Sequence, residues 1–311
     1  MRLKYDPFTP FLNSISPFAV HVRIGILGEQ TEEMENLRKQ YLANLYRTQR
    51  EDGSWEGSVT RTIDALFVMK LLELEPSRSF EDGLEFLLEG PISLLPEDPE
   101  KWGTYAGLFR KMSPEDRKEL LSRKDMFLHK GSAVFAKTGA VLFLTGETVY
   151  EGDPRVVQAF RSLDRLFRKF GNRWGPLPSS NNILLAYAAH PLKKSSRTTR
   201  TALGYLEKQQ MKSGNWKGLT NPAATLFVLS NSVLPSAARQ MTRVFRWLVE
   251  NQNEAGVWES ADPEFDSFLI LESLARGGYA NKRQGLKHFM DIHRKRLSHV
   301  ESEPEVRAGF M

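Results

Sequence analysis

A pattern of seven residues, Q-x-x-x-G-x-W, occurs three times in this chain, at 49–55, 210–216 and 252–258. A leucine stands four residues before each Gln (Leu45, Leu206, Leu248). It marks the apolar face of a helix that ends at the Gln. Each Gly falls where the chain must turn, a place suited to a residue that tolerates positive φ. After each Trp come a short polar loop and a strongly apolar helix. The unit is therefore helix, turn, helix. Repeats of this kind predict an array in which each helix pair buries its apolar face against its neighbours.

The spacing sets the number of units. Trp174 to Trp216 is 42 positions, and Trp216 to Trp258 is 42 again. Residues 171–175, Gly-Asn-Arg-Trp-Gly, form a degenerate copy without the Gln. Trp55 to Trp174 is 119 positions, room for three units of about 40 residues, with Trp102 marking one decayed turn. About six helix pairs result, enough to close a ring with inner helices parallel and outer helices running back. Helices apolar all round are inner ones. The sequence places them at 62–74, 104–112, 133–144 and 181–189. Helices at 31–49, 80–89, 113–123 and 153–170 alternate with them. Ser16-Pro17 reads as an N-cap and first helical residue, and Gly28 as a stop, for a helix over 17–27. The alternation of Val20, Val22, Ile24 and Ile26 sets a strand against that reading. The expected organisation is a lead-in over 1–29, the helical ring over 30–298 and a polar tail over 299–311.

Q-x-x-x-G-x-W ahead of an apolar helix resembles the QW repeat of the squalene/hopene cyclase and protein-prenyltransferase superfamily. The likeness covers roughly 30–295. Ser16-Pro17-Phe18-Ala19-Val20-His21-Val22-Arg23 also resembles the lead-in of short bacterial proteins with such repeats. The resemblance implies an all-α, (α/α)6 toroid with a central cavity, which in that superfamily holds an isoprenoid chain. It implies a terpenoid-cyclase- or prenyltransferase-like activity, and a girth-stabilising role for the repeated Gln and Trp. No catalytic residue carries over. The Asp-x-Asp-Asp acid of hopene-type cyclases is absent, and Asp262-Pro263-Glu264-Phe265-Asp266 is the nearest acidic cluster. The zinc of protein prenyltransferases needs a Cys, and this chain has none. The Asp-rich magnesium motif of ionising terpene synthases is missing too. No metal or cofactor is expected.

Candidate site residues come from comparing the units. Aligned on their Trp, they place Asp64, Asn182, Ala224 and Asp266 at equivalent points in the first turn of inner helices, near one mouth of the ring. An Asp facing an apolar cavity has a raised pKa and can act as an acid. A first-turn carboxylate also simply complements the helix dipole. Asp266 is the favoured acid and Asp64 the second. Phe67, Tyr105, Phe109, Phe143, Tyr187, Phe227 and Phe268 lie on inner helices. Their π faces can meet a ligand or a carbocation, or merely fill a core. Rings of Phe67, Phe227 and Phe268 that blocked the cavity would contradict an isoprenoid ligand. Arg61, Arg173 and Lys217 flank Trp turns and either meet a diphosphate or form a solvated rim. His288 and His293, five apart, are poorly spaced for two ligands on one helical face.

Composition narrows the partners. Lys plus Arg is 43 and Asp plus Glu is 38, a net +5 too small and scattered for nucleic acid. The absence of Cys excludes disulfides and thiolate chemistry. Residues 1–6 begin no apolar run of signal-peptide length. No stretch approaches the roughly 20 apolar residues of a membrane span. A cytoplasmic location is expected, with peripheral membrane contact through 91–96 left open. Three functions compete. One is an enzyme acting on an isoprenoid through an Asp. The second is a scaffold that binds an apolar small molecule, isoprenoid or lipid, or a protein partner. The third is carbohydrate cleavage by an Asp64–Asp266 pair. Apolar inner helices favour the first, and the missing catalytic signatures favour the second.

Overall fold

The computed structural model describes residues 3–73, 75–89, 133–169, 171–172, 174, 177–219, 222–260 and 262–279, without the side chains of 133–137 and 177–180. The readings above for 91–96, Trp102, Tyr105, Phe109, 113–123, Arg173, His288, His293 and the tail lie outside the described residues. The named elements among the described residues are all helical. In order they form α1 (Thr9–Leu12), α2 (Pro17–His21) and a π-helical turn (Val22–Leu27). Then come α3 (Glu32–Thr48), α4 (Val59–Leu72), α5 (Arg78–Glu89), α6 (Ala133–Leu144) and α7 (Pro154–Lys169). The last are α8 (Leu177–Ala189), α9 (Arg197–Gln209), α10 (Ala223–Ser230), α11 (Pro235–Asn251) and α12 (Pro263–Arg276).

Two layers follow from the distribution of apolar residues. Helix α10 carries no charged residue and buries Ala223 and Thr225 through Leu229. A helix apolar on every side has nowhere to lie but inside. Helix α7 instead buries Val156, Ala159, Phe160, Leu163, Leu166 and Phe167 at helical spacing and turns Arg161, Arg165 and Arg168 to water. The inner layer runs α2, α4, α6, α8, α10, α12, each packed on the next, and α12 returns to α2 and its π turn. The circle is closed. Helices α3, α5, α9 and α11 pack outside it. This is an all-α toroid of helix pairs.

The segment 17–27 is helical, not a strand. The Ser16 hydroxyl accepts the Ala19 N–H at 3.0 Å, and Pro17 opens α2. Gly28, at φ 74°, ends the π turn. The alternation of Val20, Val22, Ile24 and Ile26 misleads because the segment is wedged among α3, α4 and α12. A helix enclosed on several sides needs apolar residues on several sides, which blurs its period.

The repeated Q-x-x-x-G-x-W stretch is a miniature hairpin, tighter than a helix stop. Gln and Trp pair as bridge partners in all three copies. In the first copy Arg50 N–H donates to the Ser54 carbonyl at 2.9 Å and Gly53 N–H to the Arg50 carbonyl at 3.0 Å. The other two copies repeat both bonds. The Gly supplies the left-handed residue that such three-residue loops require, at φ 81°, 97° and 81°. The Gln amide then fastens the hairpin to a neighbour. Gln49 Nε2 donates to the carbonyls of Gly53 (2.9 Å) and Ser79 (2.8 Å). Gln210 Nε2 does the same to Gly214 and Gln240, both at 2.9 Å. In the third copy the neighbour is the start of the chain: Tyr5 N–H donates to Gln252 Oε1 at 2.9 Å. Each indole is buried. Trp55, Trp174 and Trp258 donate to the carbonyls of Leu45, Leu163 and Leu248 at 2.9–3.0 Å. Trp216 differs, donating to Gln240 Oε1 at 3.3 Å. These residues tie the outer layer together.

Candidate functional site: a cavity at one mouth of the ring

The inner helices bring their C-terminal ends together around a cavity of about 340 Å³. Lys70 and Leu71 come from the end of α4, Phe143 from α6, Phe227 from α10 and Arg276 from α12. His21 ends α2, and Glu147 and Thr148 follow α6. Phe67, one turn back along α4, completes an aromatic floor with Phe143 and Phe227. Phe227 stands edge-to-face on Phe67 at 6.4 Å and on Phe143 at 6.2 Å. Phe268 lies behind, 6.5 Å from Phe67 and stacked at 5.0 Å on Phe18. Phe67, Phe227 and Phe268 thus interlock beneath the cavity, the arrangement that counts against an isoprenoid threaded through the centre of the ring, while the space lined by Lys70, Phe143 and Phe227 remains open.

The mouth is charged. Lys70 Nζ stands over the Phe143 ring, 5.7 Å from its centroid. Burial pushes its ammonium pKa down, Glu147 opposes that shift, and Arg276 adds to it. His21 Nε2 meets the buried Glu272 carboxylate at 3.0 Å, and its Nδ1 meets the Leu71 carbonyl at 2.9 Å. Arg276 Nε adds a second bond to Glu272 at 2.6 Å. Burial would raise the Glu272 pKa, but the hydrogen bonds and charges of His21 and Arg276 outweigh it and hold it at about 2.

The residues predicted from the repeat alignment lie elsewhere. Only Asp266 and Ala224 are in the first turn of their helices. Asp64 and Asn182 fall in the second, because α4 starts at Val59 under a Ser58 cap and α8 starts at Leu177. Asp64 is about 9 Å along α4 from Lys70, by the rise of a helix. In the acidic cluster, Asp262 caps α12 by accepting Phe265 N–H at 3.1 Å. Glu264 receives the hydroxyls of Ser14 and Ser16. Asp266 is half-buried, and burial raises its pKa; a Ser260 hydrogen bond opposes this and Asp262 adds to it. Asn182 is buried, and its Nδ2 has no hydrogen-bond partner among the described residues. Tyr187 faces the outer layer, donating to the Phe160 carbonyl (3.2 Å) and to Asp164 (3.0 Å). Arg61 is exposed and pairs with Glu56 at 3.3 Å, and Lys217 is exposed.

Sequence reasoning passed over Lys70, Glu272 and Asp164. Asp164 gathers Tyr187, Lys193 (2.6 Å) and Thr198 (2.8 Å). One signal was available. A charged residue within an apolar stretch of an inner helix, as Lys70 is in 65–72 and Glu272 in 267–275, needs a reason to be there. Among the described residues no helix is long and apolar enough to cross a membrane.

No family model and no curated protein matches the chain. Solved structures do. A protein from Actinoplanes matches with a TM-score of 0.52 at 16% identity, over 85% of this chain and 89% of its own. A single-residue variant of the type II terpene cyclase MstE from Scytonema, solved with its substrate geranylgeranyl dihydroxybenzoate, matches with a TM-score of 0.50 at 13% identity. That match covers 85% of this chain and 86% of the cyclase. The fold is terpenoid-cyclase-like. At this level of identity the likeness is one of fold.

Proposed function

We propose that this chain binds a short, uncharged isoprenoid at the mouth of its ring, as a binding protein on a cyclase-like frame. The observation that carries the reading is the cavity of about 340 Å³ with its floor of Phe67, Phe143 and Phe227. Small-molecule sites run from about 300 to 1,000 Å³, so a short terpenoid suits it and a squalene-length chain does not. The complex of the cyclase-like neighbour with an isoprenoid-bearing substrate supports the ligand class.

A second reading rests on Asp266. A half-buried carboxyl with a raised pKa can protonate an alkene, and Asp64, one turn further into α4, is the second candidate. The two readings use different ends of the inner helices, so variants separate them. The test is native mass spectrometry after incubation with farnesol, farnesyl diphosphate or squalene, followed by analysis of the extracted organic phase. Farnesol should be retained unchanged, and Phe227→Trp, which fills the cavity, should abolish retention. Retention that survives Phe227→Trp would sink the cavity reading. A cyclised product lost in Asp266→Asn would replace the binding reading with the enzymatic one.

A further inference from the structure

The cavity holds a cation that the fold leaves uncommitted. Lys70 sits in the last turn of α4, lines the cavity and meets the face of Phe143. Among the described residues Lys70 makes no salt bridge, and the Glu147 carboxylate acts on it as a nearby charge. Its cationic neighbour Arg276 is already held by Glu272 at 2.6 Å and reaches Asn231 at 3.3 Å. The lining also includes Glu73, Glu75 and Glu147. An anionic head group would meet Glu73, Glu75 and Glu147 beside Lys70 and Arg276, a lining that does not favour diphosphates or carboxylates. A neutral electrophile meets no such barrier.

We propose that Lys70 captures the carbonyl of a terpenoid aldehyde as an imine, with the hydrocarbon of the ligand lying on the phenylalanine floor. The proposal rests on the cavity reading above. The downward pull of burial on the ammonium leaves more of the amine neutral, and a neutral amine is the nucleophile. The ammonium first gives one proton to water at the open mouth. The Nζ lone pair then attacks the carbonyl carbon, and the π pair moves to oxygen. That oxygen takes one proton from the nitrogen and one back from water, and leaves as water as the C=N bond forms. Ammonium and aldehyde become iminium and water, with no oxidant or reductant.

The test uses the full chain incubated with citral, reduced with cyanoborohydride and mapped by peptide mass spectrometry. One reduced adduct is expected, on the peptide carrying Lys70. It should be suppressed by excess farnesol and lost in both Lys70→Met and Lys70→Arg. Circular dichroism and a cooperative thermal transition at the parent temperature show that Lys70→Met is folded. Citral retained without an adduct at Lys70, or adducts spread over surface lysines, would overturn the imine and leave the cavity reading standing. Retention of neither citral nor farnesol would overturn both.

Discussion

At the turn glycines, backbone conformation and a crowded neighbour act together. Gly214 has φ +97°, and a Cβ there would stand 2.4 Å from the Arg243 carbonyl oxygen. Gly256 is tighter still, 1.9 Å from the carbonyl oxygen of Asp6. Alanine at 214 must take up a left-handed conformation and push α11 away from the hairpin. Gly214→Ala is expected to cost about 1–3 kcal/mol, read as a lower urea midpoint. Gly204, within α9, is the opposite case: a Cβ meets nothing within 4 Å. Gly204→Ala should stabilise the protein by up to about 1 kcal/mol. Equal effects at the two positions would show that the hairpin does not need its glycine. The need for Gly and the structural use of Gln and Trp were legible in the sequence. The hairpin itself was not, because a loop of three residues has no period to read.

At the scale of the element, α2 and its π turn show how a short segment is held. Phe18 packs on Phe265 and Phe268, both at 5.0 Å. Arg23 forms a bidentate pair with the buried Glu29, both bonds at 2.7 Å. His21 joins α2 to the end of α4 and to Glu272 of α12. The Glu272 pKa lies below its ordinary 4.5, at about 2, so the unfolded chain takes up this proton first as the pH falls. The stability it contributes is whole above about 4.5 and lost on the way down to about 2. Denaturation midpoints followed from pH 6 to about 2 should fall less steeply in Glu272→Gln than in the parent. Parallel slopes would remove Glu272 from the clasp. The sequence marks Ser16, Pro17 and Gly28 as the limits of this helix, since caps are local. It gives no sign of Glu272, 251 positions from His21.

For the whole molecule, a Trp spacing of 42 residues foretold an array, and the closed circle of inner helices is its realisation. The site was harder to read. Lys70, Phe143 and Phe227 belong to three different helices, and only packing decides that their ends converge at one mouth. The repeat alignment pointed instead to the starts of those helices, where similar positions recur in sequence. The circle also depends on the first segment of the chain. Tyr5 bonds Gln252, Asp6 covers Gly256, and Ser14 and Ser16 reach Glu264. Deleting residues 1–28 strips α4 and α12 of a shared neighbour. The shortened chain should lose its single cooperative thermal transition and expose apolar surface to a hydrophobic dye. A sharp transition at the parent temperature would mean that the circle holds without its sixth member.

The same closure has a consequence for the newborn chain. Tyr5 leaves the ribosome 247 positions before Gln252, the residue it must bond. At about 5–20 residues per second, that is a wait on the order of ten to fifty seconds. Throughout it, Phe18 lacks Phe265 and Phe268, and His21 lacks Glu272. Closure is thus a late and long-range event, slow by topology. Until it comes, the leading segment is a natural client for any chaperone waiting at the exit tunnel.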